Sequence, residues 1–402
     1  MRGTLLDNSL IINLAEKYGT PLYITDLDIV EKNYRKIESS FKKYFNKLKI
    51  FYAMKANYNP FILKLLKSLG SGIDAASPYE FILAEKIGFN GKDISFAPPN
   101  ASKEELNVAS IYGVDTLILD SLDMLENSKG LRFKNYGVRI NPSIEAGFSE
   151  KVMTGKAYSK FGVDISSLNK LIEKSKEIGI EINGLHAHIG SGILDEKPYS
   201  ILIDKMIKIF DNLSKKDFID IGGGFGYNYM TGEHIDTDKI ASVINDKFPY
   251  DKELRIEPGR YLVVNASILI SRVNGVKEID GRKKYVQIDA GMNSLIRPAL
   301  YNAFHRIKLL NENGDIEEKY DVVGPICESD DYIALDVRLK RPKVGDYIAI
   351  LDVGAYGISM ASNYNLRPIP AEVILKKNNV VGIRERDSLE NIVGKYKGLD
   401  NL

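Results

Sequence analysis

The chain has one cysteine, Cys327, no tryptophan and only four histidines in 402 residues. A lone thiol excludes any intrachain disulfide, so packing must hold the fold, and a reducing, cytoplasmic setting is the natural expectation. An excess of charge of either sign is missing too. Lys and Arg number 55 against 54 Asp and Glu, so no field draws in nucleic acid or an anionic membrane. Long apolar runs are absent: no stretch reaches the eighteen or so uninterrupted residues that a spanning helix needs. The opening segment, MRGTLLDNSLIINLAEKYG, mixes Asp, Asn, Glu and Lys into its apolar residues, which does not suit a secretory leader. Neither nucleic acid nor membrane is therefore expected as a partner. The length suffices for one large domain and a smaller one.

From residue 50 strands and helices alternate. Short apolar runs read as buried strands at 49–54, 70–74, 93–97, 115–119, 136–140, 182–189, 218–222 and 254–258. Between them lie segments with helical spacing of apolar residues, such as PFILKLLKSL at 60–69 and PYEFILAEKIG at 78–88. Eight βα units close into a parallel barrel whose active site lies on the loops after the strands. An open doubly wound sheet shows the same alternation, but eight candidate strands favour closure. Beyond about residue 265 the texture changes to Val- and Ile-rich segments with few helix-length periods, an antiparallel β-domain pattern. The early run TPLYIT at 20–25 is strand-like and can pair with the late strands. The expected division is a barrel over 27–265 and a β-sandwich or β-barrel domain from 1–26 plus 266–402.

Polar residues at odd places on this frame carry the chemistry. Lys55 in FYAMKAN ends an apolar strand, where poor solvation favours a neutral, nucleophilic amine, though a lysine there can also simply reach solvent. His188, in HAHIGSG, ends another strand, with Ser191 and two glycines behind it. A flat imidazole there can cover an aromatic cofactor. His186 lies two residues earlier on the same face, which raises a metal site, but no third ligand stands at recognisable spacing, and none is expected. DIGGGFG at 220–226 offers backbone N–H groups to an anion, Gly223 and Gly224 among them. In Glu257-Pro-Gly259-Arg260, a carboxylate can keep a pyridine nitrogen protonated and an arginine can grip phosphate or carboxylate, or the two form a structural ion pair. PICESDDY sets Cys327 beside Glu328, a proton donor next to an anion, unless the thiol is merely a small buried apolar group. Arg297 and Tyr301 in MNSLIRPALYNAFH, with Tyr356 in DVGAYGISM, add a cation and two phenols.

In their order along the chain, KAN, HIGSG, GGGFG, EPGR, GPICES and GAYG resemble the fold-type III pyridoxal-phosphate (PLP) decarboxylases, the family of the diaminopimelate, ornithine and arginine decarboxylases. RINPSIEAG, SKFGV, IRPALY and GAYGISMASNYNLRPIPAEV are most similar to the diaminopimelate branch, although Gly192 stands where that branch often has glutamine. The resemblance implies a PLP-binding barrel with a β-domain, and a homodimer whose Cys327 and Glu328 reach the neighbour's barrel. It implies that Lys55 holds PLP as a Schiff base, that His188 stacks on the ring and that Glu257 pairs with its nitrogen. Ser191, Gly223, Gly224, Gly259, Arg260 and Tyr356 would surround the phosphate. Arg260, Arg297, Tyr301, Glu328 and Tyr356 would bind substrate, and Cys327 would return a proton after carbon dioxide leaves. The implied reaction is meso-diaminopimelate to L-lysine. The same motifs leave open another basic amino acid (ornithine, lysine, arginine or carboxynorspermidine), an amino-acid racemase, or a non-catalytic homologue that regulates a decarboxylase.

Overall fold

The structure, a computed structural model, describes residues 7–144, 159–248, 251–311 and 316–398. The part of RINPSIEAG from residue 145 onward lies outside them. Two compact units are present, one of Glu31–Asn228 with His234–Leu262, the other of Met1–Val30, Tyr229–Glu233 and Val263–Leu402.

The first unit is a closed barrel. Its strands are Leu48–Ala53, Gly72–Ala75, Ile94–Phe96, Thr116–Leu119, Asn135–Asn141, Gly184–His186, Phe218–Asp220 and Glu253–Ile256. Each pairs in parallel with the next. The last returns to the first, with Leu254 opposite Leu48 and Ile256 opposite Ile50. That pairing excludes an open sheet. The strands are short and buried nearly throughout, as walls covered on both sides must be.

The helices between them start and stop on local signals. Asn59 accepts from the Phe61 N–H and Pro60 takes the first helical position, opening Pro60–Ser68. Ser77 accepts from the Glu80 N–H to open Pro78–Ile87, and Gly88 closes that helix with φ +99°. The segment SPYE is thus a helix start.

Inside the barrel, Phe218 fills room left by two glycines. A Cβ on Gly184 would lie 2.0 Å from its Cζ, and one on Gly137 would lie 3.1 Å away. The Arg255 guanidinium sits 3.5 Å over the same ring and is held by Glu253 Oε1 at 2.7 Å and Thr116 Oγ1 at 3.0 Å.

The second unit is built on a nine-stranded sheet. TPLYIT does supply a strand, Leu22–Asp26, between Ser267–Ile279 and Ala371–Lys376. The long strand Ser267–Ile279 pairs through its first half with Leu22–Asp26 and Tyr347–Ile350, and through its second half with Lys283–Ile288. Successive residues feed opposite cores: Leu269 and Val273 join Tyr23, Val286 and Ile350, while Ile268 and Ile270 join Leu22, Ile24 and Val373. Two pairings depart from the antiparallel expectation. Leu22–Asp26 with Ala371–Lys376, and Lys283–Ile288 with Glu318–Val323, are parallel, because long intervening segments let these strands approach in the same direction. Among the described residues no helix is long and apolar enough to cross a membrane.

Gly184→Ala should destabilise the barrel by about 1–3 kcal/mol through overpacking against Phe218. The urea midpoint should fall, and adding Phe218→Leu should recover part of the loss; an unchanged midpoint would show that the ring has room to move.

Candidate active site

A cluster of charged residues lies where the barrel's strands end. Lys55 lies in a 3-10 turn, Met54–Ala56, directly after the first barrel strand. Its side chain is 48% exposed, so it is not the poorly solvated amine that its strand position suggested; the turn carries it out of the apolar wall. The Nζ lies 4.0 Å from Asp74 Oδ2. Burial, then the charge of Glu257, pushes Asp74 up to about 7, against the opposing pull of Lys55, His186 and Arg139.

Glu257 follows the last strand and is buried. Its Oε2 lies 3.1 Å from His186 Nε2. Burial holds His186 down to about 4, with Asp220 pulling the other way, so the ring is neutral near pH 7. One atom each from His186, Asp220 and Glu257 fall within 4.8 Å of one another. The sequence showed no third ligand beside His186; the barrel brings two carboxylates to it from neighbouring strands. Two carboxylates this close and this buried cannot both ionise without large cost, and burial raises both. Among the described residues Glu257 Oε1, Asp220 Oδ2 and His186 Nδ1 are buried without a hydrogen-bond partner.

The glycine loop is fastened beside this cluster. The Gly222 N–H donates to Asp220 Oδ1 at 2.8 Å, and the Glu257 N–H donates back to Gly222 O at 2.8 Å. Gly222 has φ +67°. A Cβ on Gly223 would lie 2.2 Å from Glu257 O, so a side chain there would collide with backbone. The Gly223 N–H donates to His188 Nδ1 at 3.2 Å, which anchors the ring. Burial, followed by the charge of Lys55, keeps His188 well below the usual imidazole range. Arg260 donates to Ser191 Oγ from Nε at 3.3 Å and from a terminal nitrogen at 3.1 Å. A Cβ on Gly259 would meet Ala53 at 3.1 Å.

Lys55, His188, Ser191, Gly223, Gly224, Glu257, Gly259 and Arg260 therefore belong to one unit, at one end of its strands. Asp74, Asp120, Arg139 and Asp220 share that end and were not singled out from sequence. The available signal was a charged residue at or within two residues of the end of four apolar runs, 70–74, 115–119, 136–140 and 218–222.

The other five candidates belong to the second unit. Arg297 begins the short helix Arg297–Tyr301 and is 1% exposed, while Tyr301 is half-buried. Cys327 is exposed and not a buried apolar residue; its N–H donates to Asn365 Oδ1 at 2.8 Å. Glu328 Oε1 accepts from the Tyr364 hydroxyl at 2.5 Å. Tyr356 takes a left-handed backbone, φ +58°. Asp331, also missed, ties two loops together by accepting from the Met292 and Ile326 N–H groups, both at 2.6 Å.

The family model described as "Pyridoxal-dependent decarboxylase, pyridoxal binding domain" matches residues 28–264, which cover the whole barrel. The chain belongs to these pyridoxal-dependent decarboxylases. Within them it belongs with the diaminopimelate decarboxylases. It is 38% identical to that enzyme from Methanothermobacter thermautotrophicus, over 95% of this chain and 92% of the relative, and 37% identical to the Aquifex aeolicus enzyme, over 94% and 92%. Diaminopimelate decarboxylase from Helicobacter pylori, solved with L-lysine, superposes with a TM-score of 0.87 at 33% identity, covering 95% of this chain and 98% of that one.

The barrel's own residues fit the family's cofactor. A buried carboxylate oxygen of Glu257 lacks a donor, as a partner for a protonated pyridine nitrogen must before it is filled. The glycine loop, where a Cβ on Gly223 or Gly224 would strike backbone, brings N–H groups near Ser191 and Arg260, whose hydroxyl and N–H groups suit phosphate.

Asp74 should show in the stability of the cofactor-free protein. Its folded pKa stands above its ordinary value near 3.8, so the neutral form favours folding: the contribution is complete below about pH 4 and is lost as pH rises through about 7. Relative to wild type, Asp74→Asn should gain stability between pH 5 and pH 8 in urea titrations. A constant difference across that range would show that Asp74 titrates normally.

Proposed function

We propose that this protein decarboxylates meso-diaminopimelate to L-lysine and carbon dioxide, with pyridoxal 5'-phosphate as its cofactor. The observation that carries the substrate assignment is the likeness along nearly the whole chain to diaminopimelate decarboxylases, two of which have been solved with L-lysine bound. We further propose residues 27–265 as the cofactor-binding domain, with 1–26 and 266–402 as the β-domain.

When bound, pyridoxal phosphate supplies an electron sink for the pair left by the departing carboxylate. The chain's residues supply the rest. Lys55 would hold the cofactor through its amine. His188 covers one face of the ring, anchored through Nδ1 by the Gly223 N–H. Glu257, one of whose oxygens His186 fixes, would hold the cofactor's protonated ring nitrogen. Ser191, Gly223, Gly224, Gly259, Arg260 and Tyr356 hold the phosphate. Arg297, with Arg260, Tyr301, Glu328 and Tyr356, receives the carboxylate and ammonium at the far end of the substrate. A plain diamine precursor would be repelled by a buried guanidinium there. Cys327 delivers the proton that replaces carbon dioxide.

We take the working form to be a homodimer, in which Cys327 and Glu328 serve the neighbour's barrel. Their exposure, and that of Tyr364 and Leu366 beside them, supports this reading. A cytoplasmic setting suits a chain with a single exposed thiol.

Carbon dioxide release from a panel of meso-diaminopimelate, ornithine, lysine, arginine and carboxynorspermidine tests the assignment, with the first expected to dominate in kcat/KM. Lys55→Ala should abolish release. Cys327→Ala should slow it by about 10²–10⁴-fold, the usual worth of a positioned general acid. A Cys327→Ala variant that turns over at the wild-type rate would remove the thiol from the reaction.

A further inference from the structure

Arg297 heads the largest fully buried side chains among the described residues. A buried guanidinium needs something to aim it, and the choice of that partner decides how much charge is left for a ligand. One of its terminal nitrogens lies 2.9 Å from His305 Nε2, and its Cζ lies 4.7 Å over the ring of Tyr229. Arginine can only donate, so Nε2 presents a lone pair. The other ring nitrogen, Nδ1, lies 3.0 Å from Leu351 O, which can only accept, so Nδ1 carries the proton. Both nitrogens are committed, and this tautomer is neutral.

The backbone explains how a residue eight positions on returns to Arg297. The helix Arg297–Tyr301 ends at Asn302 in the left-handed conformation, φ +53°, and the Ala303 N–H donates to Arg297 O at 3.3 Å. That reversal brings His305, itself 1% exposed, against the guanidinium. The Tyr229 ring meets the imidazole edge-on, with centroids 5.3 Å apart and planes at 76°. His305 is therefore tethered to a backbone carbonyl on one side and packed on another, a rigid support for the arginine.

We infer that His305 is a positioning residue for Arg297, a neutral acceptor that aims the guanidinium without cancelling its charge and so sets the preference for ligands with a carboxylate remote from the reacting amine. A glutamate in its place would supply a resident counter-charge that an incoming carboxylate must displace. An alanine would remove that acceptor and leave a cavity. The inference rests on the reading that Arg297 receives the distal carboxylate of the substrate.

The test compares two ligands on the cofactor-loaded full chain, with affinity read from the absorbance of the bound cofactor. L-lysine carries the remote carboxylate; 1,5-diaminopentane has the same two amines without it. His305→Ala and His305→Glu should each weaken L-lysine by about 10–100-fold, the usual worth of a hydrogen bond to a charged group, and neither should weaken 1,5-diaminopentane by more than about twofold. His305→Gln, whose amide oxygen can accept from Arg297, should keep most of the preference. With substrate, the loss should fall on KM more than on kcat. Arg297→Gln is the control. If it abolishes the preference while His305→Ala retains it, the positioning role is wrong and the substrate reading stands. If neither variant alters the preference, the assignment of Arg297 fails and the inference with it. Should the alanine variant not fold, His305→Gln and His305→Glu decide alone: both fill the site and differ in charge, so equal preference for L-lysine in the two overturns the role.

Discussion

Everything chemical in the barrel depends on the hydrogen bonds that join its last strand to its first. Leu254 opposite Leu48 and Ile256 opposite Ile50 make the sheet continuous, so residues far apart in sequence end on one ring. Lys55 and Glu257 stand at the ends of those two strands. His186 and Asp220 come from the two strands before the last, and Asp74 from the one after the first. Without closure these groups would lie along an edge in water, with ordinary acidities and no common purpose.

Closure also sets a charge problem. Asp74, Asp120, Asp220 and Glu257 crowd a region where Lys55, Arg139 and Arg255 are among the facing cations, and burial raises all four acids. Two buried carboxylates can share a proton where they cannot share a charge. Burial pushes the same way on the histidines, keeping His186 and His188 neutral. The neutral state suits their contacts: His186 shares a hydrogen bond with Glu257, and His188 accepts from the Gly223 N–H. A protonated His188 would lose that anchor.

The second unit solves its orientation problems with single side chains that grip two places. Asp331 accepts from the Met292 and Ile326 N–H groups and so fixes the loops that carry Arg297 and Cys327 relative to each other. A Cβ on Gly291 or Gly324 would strike Asp331 within 3 Å, which is why both loops bear glycine at the grip. His305 does the same between Leu351 O and Arg297.

Much of this protein could be read along the chain. Eight apolar runs and the spacing between them carried the barrel, because a buried parallel strand must be apolar on both faces and a helix must repeat its apolar face every turn. The caps at Asn59 and Ser77 are local chemistry, and so is the glycine demanded at Gly222 and Gly223. The order of short motifs carried the family, since each marks a loop after a particular strand. What only the tertiary structure decided is which charged groups meet. Asp220 was in plain view within DIGGGFG, yet its closeness to Glu257 and His186 arises across three strands. Lys55 was expected to be poorly solvated at the end of an apolar strand, but a single turn of 3-10 helix exposes it. His305 carried no signal beyond its place in MNSLIRPALYNAFH, because its meaning lies in the distance to a guanidinium eight residues back and to a carbonyl forty-six residues on. Sequence patterns record what each residue asks of its surroundings; the partner that answers is set by packing.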